Sequence, residues 1–192
     1  FAKQFGLGDK AVGNFTSGGS EANFTSIIVS LTRKFPDYVM SGLRCLGGQP
    51  VFYCSTEFHH SFEKIAHQCG LGRDAVRLVP VTDSNVMDVQ AAASMIQQDQ
   101  QNGMIPFLIN ATAGTTNSGL VEPLDEIAKL SKRYDLHLHV DAAWGGSAVL
   151  SPTHRSCLDG IQHADSITFD PHKLLSVPMG AGMLLVREHQ WL

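Results

Sequence analysis

Short apolar runs alternate along this chain with amphipathic stretches. Pro50–Cys54, Val76–Val79, Ile105–Ile109, Leu136–Val140, Ser166–Phe169 and Met183–Val186 have strand character. Between them, Phe24, Ile27, Ile28 and Leu31 recur at the spacing of one helix face, with Pro36 beyond the end. Val89, Ala92, Ala93 and Ile96 repeat that spacing behind Asp88, a residue suited to cap a helix start. A third helix is predicted from Glu122-Pro123. Proline fits a first helical turn, Asp125 and Glu126 complement its positive end, and Lys129, Lys132 and Arg133 lie toward the negative end. Leu124, Ile127, Ala128 and Tyr134 form its buried stripe, and the polar run Gln97–Asn102 reads as an exposed helix end. Strands alternating with helices of this length require crossover connections. The class is therefore α/β, a mainly parallel central sheet with helices on both faces.

At 192 residues the chain is close to one domain of about 150 residues. With 43% apolar and 17% charged residues it can build a packed core, which excludes a disordered chain. A net charge of −4 argues against a nucleic-acid surface held by phosphate attraction. No apolar run approaches the roughly 18 residues that span a bilayer, and Phe1–Gly6 does not resemble a signal peptide. Neither a nucleic acid nor a membrane is expected as partner. The start without Met and the abrupt Gln190-Trp191-Leu192 point to a piece of a longer protein. Cys45, Cys54, Cys69 and Cys157 form no C-x-x-C pair, the usage of free thiols in a reducing compartment, so the cytoplasm is the expected location.

Several unusual groups fall at predicted strand ends, where ligands of open α/β sheets collect. Thr16–Ala22 is a Gly-rich turn opening a helix, whose free N–H groups suit a phosphate; an ordinary capped loop has the same look, and no Walker lysine follows. His137, His139 and Asp141 alternate along one strand and so share a face. That spacing also occurs in metal-dependent hydrolases, the rival reading from another class, although two histidines satisfying backbone groups explain it more simply. Lys173, in Asp170-Pro171-His172-Lys173 between apolar stretches, is expected to be partly desolvated, which lowers a lysine pKa as Schiff-base chemistry requires. A phosphate cradle, an aspartate and such a lysine together describe a pyridoxal-phosphate site.

Ser17-Gly18-Gly19-Ser20-Glu21-Ala22, Asn110–Thr116, His139–Gly146 and Asp170–Lys173, in that order, resemble the group II pyridoxal-phosphate-dependent amino-acid decarboxylases, including the glutamate, cysteine-sulfinate, aromatic-amino-acid and diaminobutyrate enzymes. The resemblance covers essentially the whole chain. It implies the large domain of the fold type I pyridoxal-phosphate transferases, with residues 1–192 as its central part; the family's N-terminal segment and C-terminal small domain would lie outside the chain. It implies Lys173 as the Schiff-base lysine, Asp141 as partner of the pyridine nitrogen, Ala143 against one ring face and His59 stacked on the other. His60 would be a neighbour without a direct role. Gly19 and Ser20 would hold the phosphate, helped by His172 and Ser166, with Thr116 near the ring and Thr112 a weaker candidate. Lys173, Asp141 and His59 would be the catalytic set, with no metal.

The activity implied is decarboxylation of an L-amino acid to a primary amine and carbon dioxide, in a homodimer with shared active sites. Within the same fold an aminotransferase or carbon–carbon lyase is the alternative, since fold and cofactor do not determine which bond breaks. Asp170 stands where the family often has asparagine, and Leu174-Leu175 where bulkier residues are common. The family's mobile catalytic loop, downstream of the lysine, lies beyond this stretch, so the isolated 192 residues are expected to be inactive. The Asp-Ala-Ala-Trp run and Val177–Gly180 lean toward the glutamate and cysteine-sulfinate enzymes.

Overall fold

The computed structural model describes residues 1–192. Its strands are β1 (Val12–Thr16), β2 (Pro50–Ser55), β3 (Val76–Val79), β4 (Ile105–Thr112), β5 (His137–Asp141), β6 (Ser166–Phe169) and β7 (Gly182–Val186). Its helices are α1 (Gly19–Lys34), α2 (Tyr38–Ser41), α3 (Ser61–Gln68), α4 (Val89–Gln101) and α5 (Leu124–Arg133). One seven-stranded sheet runs in the order β1-β7-β6-β5-β4-β2-β3. From β3 to β6 all neighbours are parallel, while β7 and β1 close one edge antiparallel. The α/β class and mainly parallel sheet read from the alternation are those of the structure.

Each face of the sheet is covered. On one, Ile96 of α4 and Ile127 of α5 pack with Val51, Ile109 and Leu138. On the other, Ile27 and Leu31 of α1 and Phe62 and Ile65 of α3 pack on Phe52, Phe107 and Leu108. All six predicted strands form. The sequence reading passes over β1 because only Thr16 of its five residues is buried and Phe15 is 76% exposed, so an edge strand shows no alternation. It also passes over α3, whose Phe62, Ile65 and Ala66 have helical spacing for barely two turns.

Capping follows the local chemistry. Asp88 Oδ1 accepts hydrogen bonds from the N–H groups of Gln90 and Ala91, both at 3.0 Å. In α5, Asp125 and Glu126 lie in the first turn and Lys132 and Arg133 in the last, with Pro123 one position before the helix. Two expectations are corrected. The run Gln97–Asn102 is not wholly solvated: Asp99 is buried, accepting from Tyr53 Oη at 2.8 Å and Arg77 Nε at 3.0 Å. And α1 does not bury Phe24, which is 36% exposed; it turns Asn23, Ser26, Ile27 and Ser30 inward. The sheet beneath presents His139, Asp141, Ser166 and Thr168, and a polar surface inside a fold is matched by polar side chains.

Candidate active site

The parallel strands β2, β4, β5 and β6 all end on one side of the sheet, and the loops that follow them line two adjoining hollows of about 460 and 340 Å³. His59, Asp141, Ala143 and Lys173 border both. Thr112, Thr115, Thr116 and Trp144 also line the larger; Gly18, Gly19, Ser20, Asn23, Asp170 and His172 also line the smaller. Hollows of this size at strand carboxyl ends suit a small ligand.

Asp141 ends β5 and is 5% exposed. Its Oδ2 accepts from Asn23 Nδ2 at 2.8 Å and its Oδ1 from the Ala143 N–H at 3.2 Å. Across the hollow, His59 Nδ1 accepts from the Ser61 N–H at 3.2 Å and lies 2.8 Å from Ser61 Oγ, so the ring is held by the start of α3. His60 points elsewhere, with its side chain 80% exposed and 3.4 Å from Glu63.

Lys173 lies in the turn after β6, its N–H donating to the Asp170 carbonyl at 3.0 Å and its Nζ 3.4 Å from Asp170 Oδ2. The Lys173 side chain is covered only in part, 37% exposed, and Leu174 is 50% exposed. The segment is a turn, so its flanking leucines do not close over the lysine. Asp170 itself is 1% exposed, with Oδ2 accepting from the Gly19 N–H at 3.0 Å and Oδ1 buried without a partner. His172 Nδ1 accepts from the Ala181 N–H at 3.1 Å, which leaves Nε2 to carry the proton, 3.5 Å from the same Asp170 oxygen. Any side chain at Gly19 would place its Cβ 2.8 Å from Asp170 Oδ2 and 3.3 Å from Ala143 Cβ. The cradle at the start of α1 therefore requires glycine.

Ser166 is the second correction to the site. It is fully buried under α1, away from both hollows, and its hydroxyl lies 2.7 Å from His137 Nε2 and 2.8 Å from His139 Nδ1. Those contacts also answer the metal-hydrolase alternative. His137, His139 and Asp141 do share a face, but the histidines are tied to Ser166, Arg33 and Asn23, and no three His, Cys, Asp or Glu side chains converge as a ligand set. Burial holds both imidazoles neutral, His137 well below its usual range and His139 down to about 3.

Below the larger hollow, Glu122 is 2% exposed and its Oε2 accepts from the Thr112 N–H at 2.7 Å. Burial pushes this carboxyl up to about 7, against the pull of its hydrogen bonds. Asn23 and Ser61, which hold Asp141 and His59, are absent from the residues selected on sequence. A signal for Asn23 does exist: it shares a helix face with buried Ile27, where a polar residue needs a partner.

These elements are those of a known family. The chain matches the pyridoxal-dependent decarboxylase conserved domain over residues 1–192 and belongs to that family, whose cofactor is pyridoxal phosphate. It is 44% identical over 176 residues to rat cysteine sulfinic acid decarboxylase (Rattus norvegicus), covering 92% of the chain and 36% of the relative. An L-aspartate decarboxylase of Metarhizium robertsii is 40% identical over 185 residues, covering 96% of the chain and 36% of the relative. The crystal structure of mouse CSAD in apo form superposes with a TM-score of 0.94 at 40% identity, over 97% of this chain and 40% of that one. The Oryza sativa TDC structure with PLP gives 0.89 at 26% identity, over 99% and 43%. The chain thus spans 36% of the length of these two curated relatives.

The residues present fit the cofactor. At Gly19 a Cβ would crowd Asp170 Oδ2, so the turn that opens α1 presents bare backbone to the smaller hollow, and an acidic, an imidazole and an amine side chain border that same hollow.

Proposed function

We propose that residues 1–192 are the central part of the cofactor-binding large domain of a full-length pyridoxal-phosphate-dependent decarboxylase. It would convert an acidic L-amino acid to a primary amine and carbon dioxide. The observation that carries this reading is the convergence of Lys173, Asp141, His59 and the Gly18–Ser20 turn on one cleft. The acidic substrate class rests on relatives whose names give cysteine sulfinic acid and aspartate as substrates. The full protein would work as a cytoplasmic homodimer with shared active sites.

Bound cofactor supplies an electron sink for the pair left by the departing carboxylate. The chain's own groups do the rest. Lys173, which borders both hollows, would be the amine that holds the cofactor. Asp141, held in place by hydrogen bonds from Asn23 Nδ2 and the Ala143 N–H, would pair with the ring nitrogen and favour its protonated form. Ala143 and His59, which border both hollows, would take the two ring faces, while Gly19, Ser20 and His172 would take the phosphate, with Thr116 near the ring.

The test uses the full-length protein with pyridoxal phosphate, borohydride and peptide mapping, alongside carbon dioxide release from acidic amino acids. A yellow band bleached by borohydride, with the label on Lys173 and lost in Lys173→Ala, is the expected result. A label elsewhere, or an amino-acid substrate consumed without carbon dioxide, overturns it.

A further inference from the structure

Beneath the cleft, a file of buried polar side chains runs from the surface to Asp141. Arg33 Nη1 stands 2.8 Å from His137 Nδ1. His137 Nε2 is 2.7 Å from Ser166 Oγ, and Ser166 Oγ is 2.8 Å from His139 Nδ1. His139 Nε2 is 3.1 Å from Asn23 Oδ1, and Asn23 Nδ2 is 2.8 Å from Asp141 Oδ2. His139, Ser166 and Asn23 are at most 1% exposed and His137 4%.

The chemistry of the two ends settles where the protons sit. A guanidinium only donates, so His137 Nδ1 accepts and its proton is on Nε2. That N–H donates to Ser166 Oγ, whose own O–H then donates to His139 Nδ1. The proton of His139 is therefore on Nε2 and goes to Asn23 Oδ1, which also accepts from Thr168 Oγ1 at 2.7 Å. A carboxylate only accepts, so the Asn23 amide must present Nδ2 to Asp141. Every bond is donated in one direction, from cation to anion. The neutrality that burial imposes on both imidazoles is what this ordering needs. Arg33 is itself held, 3.5 Å from Asp165 Oδ1 and 3.7 Å above the Trp191 ring. At the other end the amide branches: Asn23 Nδ2 is 3.3 Å from Ser61 Oγ, the group that holds His59.

We propose that Asn23 is the positioning residue of the cleft, its amide oriented by the Arg33–His137–Ser166–His139 file so that it holds the Asp141 carboxyl group aimed at the cofactor's ring nitrogen. The proposal rests on the reading that Asp141 faces that nitrogen. Asn23 itself borders the smaller hollow; the rest of the file lies outside both hollows, and its effect passes through Asn23 to Asp141, with a side branch to His59.

The test compares two ligands in the full-length apoprotein: pyridoxal phosphate and its deaza analogue, in which C–H replaces the ring nitrogen. Asn23→Ala removes a hydrogen bond to a charged group and should weaken pyridoxal phosphate about 10- to 100-fold. The analogue has no nitrogen for Asp141 to pair with, so its weakening should be smaller by a factor of about ten; what it does lose reports the His59 branch. His139→Leu frees the amide to flip and should show the same ligand dependence at about threefold to tenfold. His139→Gln, which can again donate to Asn23 Oδ1, should restore wild-type affinity. Equal weakening of both ligands, or unchanged affinity for pyridoxal phosphate, overturns the proposal. If Asn23→Ala does not fold, the two His139 variants decide by the same criterion. A wild-type protein that binds neither ligand overturns the cofactor reading, and the proposal with it.

Discussion

Glu122→Gln should make the protein more stable at alkaline pH and leave it nearly unchanged at acid pH. The wild-type carboxyl is 2% exposed, and burial raises it from 4.5 to about 7. An acid with a raised folded-state pKa binds its proton more tightly in the native state, so stability falls as pH rises from about 4.5 to about 7 and is flat above. At 1.36 kcal/mol per pKa unit, the loss is about 3 kcal/mol. Glutamine has nearly the same shape and keeps an oxygen for the Thr112 N–H, now held at 2.7 Å, but carries no charge to bury. Below pH 5 the variant and wild type should unfold at similar urea concentrations. At pH 8 the variant should be more stable by about 3 kcal/mol. The assay is urea unfolding of the full-length apoprotein across that range, taking the difference between the two proteins so that shared titrations cancel. A difference that stays constant from pH 5 to pH 8 would refute the reasoning, because it would mean that Glu122 does not change protonation on unfolding.

Three further outcomes bear on the cleft. Asp141→Asn in the full-length enzyme should retain bound cofactor but lose turnover by about a hundredfold or more, since the ring nitrogen loses its ionic partner; unchanged turnover removes Asp141 from the chemistry. His59→Ala should raise the cofactor dissociation constant about tenfold through loss of a stacked ring, measured by titration of the apoprotein, and wild-type affinity would place that imidazole elsewhere. Asp170→Asn should tighten inorganic phosphate and cofactor binding about threefold to tenfold, because the buried carboxylate at the Gly19 N–H repels an anion approaching the same helix end. Weaker phosphate binding in that variant would show that the carboxylate orders the cradle more than it repels.

The hydrophobic alternation was sufficient for six of seven strands, for three of the helices and for the side of the sheet where chemistry gathers. These features depend on short-range periodicity and capping, which each segment carries within itself. Lys173, Asp141 and Gly19 stood out because they lie within an ordered set of motifs, and His59 followed only from the resemblance those motifs carry. The inward face of α1 was not. Its apolar stripe favours Phe24, yet the helix buries Asn23, since the strands below present a histidine, a serine, a threonine and an aspartate. Nor could the chain order reveal that Ser166 serves His137 and His139 across 29 and 27 residues, or that Arg33 reaches His137 across 104. How far Lys173 is covered was likewise decided by the turn that carries it, which leaves its side chain 37% exposed. The sequence by itself determined which residues could do chemistry and on which elements they stand. Only the tertiary structure decided which of them hold one another, because hydrogen-bond partners are set by how strands from distant parts of the chain align.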